Sequence, residues 1–467
     1  MIFNKSEMGE EVIGVSDPKE TRGARLCARL HLHELRRDPQ RAFATLFVTA
    51  LAVFAAVGLL LLLIMLLFPA TRGALALVVN PRTLFFLNGD DRFMDFFNSI
   101  RDAAQGLEAY TVRMVIYPPL ADLFYIVMGL FVPASYRNSA FEQNKTAWQT
   151  PACMALVSVI TVLELLLIGA MCYYALRGTR RHLRVVLTLA MSLSFPLLHL
   201  LERGNILVLS FALVLVFFLF RDHPSRILRE LALVALAASA AIKLYPIVFG
   251  LFLLAEKRWR AVVRCAVYGV LLLLLPAFFI GDPLAVFSAI TENLISFSTW
   301  ASGSENTALI VYHSLEIWLE KICSLFVSYS VSFPLPVTLL FTVAQMGVYL
   351  WYFFSTKVAY KRWIAVIGMF FTVPGAASVY ALVFLLIPFL LYLREVRELK
   401  GMDAVWFGFF ALMLIPLPIA VFSPWSLSVR IATFLTAPLL LGLCLTDVLY
   451  QRKKLSSKEK ADEDSSC

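Results

Sequence analysis

The chain alternates between long apolar runs and short polar breaks, and the apolar runs set its architecture. Residues 43–68 and 151–176 each reach the ~20 apolar residues that a helix needs to cross a bilayer. Beyond 176 the alternation becomes regular, with apolar stretches at 185–201, 206–220, 231–242, 247–255 and 262–280. Further runs lie at 308–330, 335–354, 363–373, 376–392, 404–422 and 429–449. Glu316, Glu320 and Lys321 draw the first of these toward the membrane interface. The pattern predicts an all-α polytopic membrane protein with about 12 transmembrane helices.

The polar breaks carry the topology. Breaks at 177–184, 221–229, 256–260, 357–362 and 394–400 are basic, and so is the end of the 1–42 tail. Lysine and arginine collect on the cytoplasmic side of membrane helices. Both termini are therefore expected in the cytoplasm, with 43–450 as the transmembrane domain and 451–467 as a disordered charged tail. Keeping all the basic breaks on one side requires 117–132, apolar but short, to be re-entrant or interfacial. The remaining breaks then share the other face. They are the loop 69–116, Arg203-Gly204-Asn205, Lys243-Leu244-Tyr245-Pro246 and a polar loop over 281–307. The first apolar run is too long for a signal-peptide core, so no cleavable signal is expected. An integral, multi-pass location follows, in the plasma (inner) membrane for a bacterial host.

Composition supports this reading. The 467 residues are 60% hydrophobic and 16% charged, against roughly 25% charged in soluble domains. The net charge of +9 is accounted for by the basic breaks, so no nucleic-acid partner is expected. The seven cysteines are scattered and have no zinc-ligand spacing. P-loop, GxGxxG, GxSxG and HExxH motifs are absent, which argues against nucleotide-driven and zinc-protease chemistry.

Candidate chemistry concentrates in the loop that ends at Tyr117-Pro118-Pro119. It holds Asp90, Asp91, Asp95, Asp102 and Glu108. Asp95 precedes Phe96 and Phe97, which would set its carboxylate beside apolar surface. Partial desolvation raises a carboxylate pKa, which suits a general base accepting a hydroxyl proton. Asp91 would share its helix face. Lys243 interrupts an apolar segment, where a lysine is costly without an anionic partner. Arg203, followed by Gly204 and Asn205, offers a planar fork for phosphate. Glu164 is an acid within the 151–176 span, and His199 reads as a helix-packing residue. The paired acids could hold a divalent metal, though no cofactor is required.

Five pieces follow one another in order: Asp95-Phe96, Tyr117-Pro118-Pro119-Leu120, Arg203-Gly204-Asn205-Ile206, Ala241-Ile242-Lys243-Leu244-Tyr245-Pro246 and Lys257-Arg258-Trp259-Arg260-Ala261. Over roughly residues 43–310 the chain resembles glycosyltransferase family 87, the polyprenyl-phosphate-mannose-dependent members of the GT-C fold. That resemblance implies a non-cytoplasmic active site and a hexose donor, often mannose, on polyprenyl phosphate. It also implies a lipid or glycan acceptor, inversion at the anomeric carbon, and Asp95 as base, with Asp91 the other catalytic candidate. Arg203, Asn205, Lys243, Tyr245 and Tyr117 are the expected substrate-binding residues. The later outer loop departs from the family pattern, reading Gly303-Ser304-Glu305-Asn306-Thr307. The alternative is a transporter or flippase of lipid-linked saccharides. It is disfavoured because the acidic loop has no counterpart in the second half, whereas transporters are commonly built from repeats.

Overall fold

The computed structural model describes residues 36–71, 92–137, 147–303, 314–327, 331, 333–373, 377, 379–419 and 426–466. Among them there are helices and turns and no β-strand. Five helices are long and apolar enough to cross a membrane: Pro39–Leu67, Pro151–Ala175, Trp259–Ile280, Leu335–Ser355 and Leu427–Lys453. A sixth span forms if the bent pair Arg181–Ser192 and Phe195–Arg203 counts as one. Other apolar helices are shorter, so the expected dozen full-length spans is not what these elements show. Pro119–Gly129 has 11 residues. At 1.5 Å per residue that is about 16 Å, half the hydrocarbon thickness.

The first helix, α1 (Pro39–Leu67), starts where Pro39 needs no hydrogen-bond acceptor for its nitrogen and the Asp38 carboxylate accepts from the Arg41 N–H at 3.0 Å. Two short helices follow, α2 (Met94–Ala103) and α3 (Leu107–Thr111). After them come α4 (Pro119–Gly129), α5 (Pro151–Ala175), α6 (Arg181–Ser192) and α7 (Phe195–Arg203). The axis turns by 44° between α6 and α7, where Pro196 cannot continue the backbone ladder. Gly204, at φ +64°, ends α7 and hands the chain to α8 (Leu207–Phe220). The next helix, α9 (Arg226–Ile242), packs along α8. A 3-10 turn at Tyr245–Gly250 then leads into α10 (Leu251–Ala255) and α11 (Trp259–Ile280).

The polar loop expected over 281–307 is instead largely a helix, α12 (Pro283–Gly303). Val286, Ala289, Ile290 and Asn293 are buried, spaced as one helical face. The Asn293 side-chain amide donates to the Tyr110 and Val115 carbonyls at 2.8 and 3.0 Å and ties α12 to α3. The C-terminal half runs through α13 (Leu315–Phe326), α14 (Leu335–Ser355) and α15 (Ala359–Phe370). It ends with α16 (Leu386–Glu395), α17 (Gly401–Leu414) and α18 (Leu427–Ser466). The last helix continues through the stretch expected to form a disordered tail.

The largest core cluster joins α14–α18 to α7–α10 through Trp363, Phe384, Phe389 and Trp406. A separate cluster matters more for function. Phe96, Phe97 and Ile100 of α2 bury against Tyr125 of α4, Ile206 and Ile242. Each buried phenylalanine contributes about 1.5–3 kcal/mol, enough to anchor a ten-residue helix too short to hold itself together.

Candidate active site

With Phe96 and Phe97 turned into that cluster, the neighbouring Asp95 faces the opposite way, toward the end of α7. There Arg203 Nη2 forms an ion pair with Asp95 Oδ1. The Asn205 side-chain amide donates to Asp95 Oδ2 at 2.7 Å and also to the Tyr117 hydroxyl at 3.2 Å. Asn205 Oδ1 accepts from the Leu207 N–H at 3.0 Å, so the amide is held by the first turn of α8. Asp95 and Arg203 keep 15% and 23% of their side-chain surface open, which leaves room for a ligand to reach them.

Backbone geometry fixes this pairing. The Phe93 N–H donates to the Glu202 carbonyl at 2.8 Å, which locks the start of α2 to the end of α7. Gly204 is required there twice over. Its φ of +64° is left-handed, and an added Cβ would sit 2.9 Å from the Cβ of Phe96. Glycine thus permits the close approach that carries Asp95 to Arg203.

Lys243 lies in the turn just beyond the last residue of α9. Its ammonium stands 4.1 Å from the centroid of the Tyr117 ring, a cation–π contact. Burial lowers its pKa to about 8, with the charge of Asp95 pulling the other way. The cation is therefore close enough to feel the carboxylate without pairing with it directly. Tyr117 is half-buried like Lys243, and the loss of water around its hydroxyl raises its pKa, so it is a neutral donor or acceptor.

Of the residues singled out from the sequence, Asp95, Arg203, Asn205, Tyr117 and Lys243 come together. Tyr245 does not join them. Its ring turns into the main core, 4.8 Å from Phe370 and 6.1 Å from Phe384. Asp90 and Asp91 lie outside the described residues, as does most of the Gly303–Thr307 stretch. Asp102 is taken up by Arg101 at 2.6 Å, and burial raises its pKa while that arginine opposes the shift. Glu164 lines a small gap behind Asn205, together with Phe93 and Phe96. His199 is buried and stacks on Phe195 at 5.6 Å, as a packing residue does.

The sequence reading missed two neighbours. Tyr125 is fully buried with its ring 6.3 Å from Tyr117, two helical turns along the chain. Tyr380 lies beside His199 at 6.3 Å and comes from a distant segment that no local pattern links to the site. Among the described residues no group of three or more His, Cys, Asp or Glu side chains could hold a metal ion.

A carboxylate held by an arginine and an amide can accept a proton, and that arginine with the half-buried lysine alongside can place positive charge opposite a departing anion. Searches among curated proteins and among solved structures return no match. A family model does match, over residues 114–374. That span includes Tyr117, Arg203, Asn205 and Lys243 and leaves Asp95 to its N-terminal side. With more than half of the chain matched and the helices of a membrane protein around the site, the chain belongs to glycosyltransferase family 87, a family of membrane glycosyltransferases.

Proposed function

We propose that the protein transfers a hexose, mannose being the leading choice, from polyprenyl phosphate to a hydroxyl of a lipid or glycan acceptor. The transfer takes place at the non-cytoplasmic face and inverts the anomeric carbon. The observation that carries this reading is the convergence on Asp95 of Arg203, Asn205 and the Lys243–Tyr117 pair, from three separate stretches of chain.

In this mechanism the Asp95 carboxylate takes the proton of the acceptor hydroxyl. The resulting oxygen attacks the sugar C1, the bond from C1 to the phosphate oxygen breaks, and polyprenyl phosphate leaves with the electron pair. Arg203 and Lys243 neutralise the charge that grows on that phosphate. Arg203 has two claimants, Asp95 and the donor phosphate. As the phosphate takes the guanidinium, Asp95 gives up an ion-pair partner and becomes a better base. Asn205 stays on the carboxylate and keeps it aimed, which is orientation rather than charge.

The test is to supply the purified protein with lipid-linked sugar donors. Release of polyprenyl phosphate and the anomeric configuration of the product are then followed. Release coupled to an inverted linkage is expected. A retained linkage, or transfer only from nucleotide sugars, would overturn the proposal.

A further inference from the structure

Along α9 runs a second assembly, from a basic cluster at its N-terminal end to an apolar groove whose lining reaches Ala241 and Leu244, next to Lys243. An apolar groove of about 530 Å³ runs between α9, α10 and α11. It exists because its walls are small: Ala237, Ala240 and Ala241 on α9 face Ala266 and Gly269 on α11. A Cβ added at Gly269 would meet no atom within 4 Å, so the space beside it is open. Leu253 lines both this groove and an adjoining basic cleft of about 490 Å³, so the two share a wall.

The basic cleft has more cations than its acids can absorb. Asp222 and Glu256 are taken up by Arg221 and Arg258, and Glu230 by Arg264. Lys257 and Arg260 of the cleft remain exposed, with no acidic partner among the described residues, and so does Arg226 in the adjoining basic hollow that shares Arg260 with it. Lys257 holds a left-handed φ of +56°, a conformation that favours glycine over any residue with a Cβ. Trp259 and Ile227, 61% and 78% exposed, flank the cations as apolar residues at headgroup depth do.

We propose that this groove and cleft bind one anionic phospholipid of the cytoplasmic leaflet. Its acyl chain lies between α9 and α11, and its phosphate sits on Arg226, Lys257 and Arg260. Charge complementarity selects the headgroup, since a zwitterionic lipid would bring its own ammonium to a site already in cation excess. The headgroup cluster is set apart from the transfer centre, while the groove for the acyl chain extends from it toward Leu244. The 17 residues of α9 put about 25 Å between the cluster and Lys243.

The experiment uses full-length protein in detergent and counts retained lipids by native mass spectrometry. The probes are phosphatidylglycerol, phosphatidylcholine with the same chains, inorganic phosphate and polyprenyl phosphate. One phosphatidylglycerol should bind in preference to phosphatidylcholine, and millimolar phosphate should not displace it. Each cation near an anionic headgroup is worth about fivefold in affinity, so Arg226→Gln/Lys257→Gln/Arg260→Gln together should weaken binding by about 100-fold. Gly269→Phe should also abolish retention, by filling the groove with the cations intact. Arg260→Gln alone, losing about fivefold, keeps the test decisive if the triple variant unfolds. Equal binding of the two phospholipids, or wild-type binding by Gly269→Phe, would overturn the proposal. So would displacement by phosphate alone, or polyprenyl phosphate outcompeting phosphatidylglycerol at this site. The readout is lipid retention, so the result stands apart from whether sugar is transferred.

Discussion

The protein holds two carboxylate–cation pairs that look alike on paper and differ in what surrounds them. In the C-terminal bundle, Asp447 of α18 meets Lys361 of α15 at 2.8 Å. Tyr352 of α14 and Gln451 also donate to Asp447, at 2.6 and 3.0 Å. Its side chain is fully buried. Every direction of that carboxylate is occupied, so the pair can only hold three helices together. Asp95 meets Arg203 and Asn205 but keeps an open side, and a second cation waits nearby on Tyr117. A closed pair is a fastening. An open pair beside a spare cation is a place where a charged ligand can exchange partners with the protein.

Four changes probe that difference. Arg203→Ala should have the largest effect, lowering kcat by about 10²–10³ as a donor to the leaving phosphate is lost. Arg203→Lys should restore only part of this, because an ammonium lacks the planar fork. Steady-state transfer assays read both. Asp447→Asn should act on stability instead. Stranding Lys361 without its charge partner costs about 3–5 kcal/mol, while transfer per folded molecule stays near wild type. Thermal unfolding in detergent measures this. A smaller loss there than in the Lys361→Met/Asp447→Leu double variant would break the comparison.

Gly204→Ala comes third. The left-handed backbone disfavours it by about 1–2 kcal/mol, and the contact with Phe96 forces α2 away from α7. Activity should fall more than stability, since that movement separates Asp95 from Arg203. The smallest effect is on pH dependence. Lys243 is protonated below its pKa of about 8 and loses its charge as the pH rises through that value. Donor KM should therefore rise severalfold between pH 7 and 9, by order of one tenfold step per unit once past the pKa. In Lys243→Arg that rise should vanish, because arginine stays charged throughout.

Much of the open site was legible beforehand. Asp95, Arg203, Asn205 and Lys243 are polar residues at the ends of apolar runs, where burial without a partner is costly, and that cost is visible in one dimension. Tyr245 was misplaced because its motif is continuous with Lys243 while the 3-10 turn sends the two side chains to different sides. The helix over 283–303 was hidden by its serines and threonines, although Val286, Ala289, Ile290 and Asn293 already spell a helical stripe. Lys361 read as one more solvated cation in a basic break. Its burial depends on Asp447, 86 residues away, and no local pattern joins them. Tyr380 reaches the site through tertiary packing for the same reason.

The account rests on Asp95 as the proton acceptor. The direct measurement is transfer by purified Asp95→Asn with a polyprenyl-phosphate hexose donor, alongside Asp95→Glu. Asparagine should keep the protein folded and donor binding measurable while lowering kcat by about 10²–10⁴, with partial recovery in the glutamate variant. Transfer by Asp95→Asn at close to the wild-type rate would contradict the assignment.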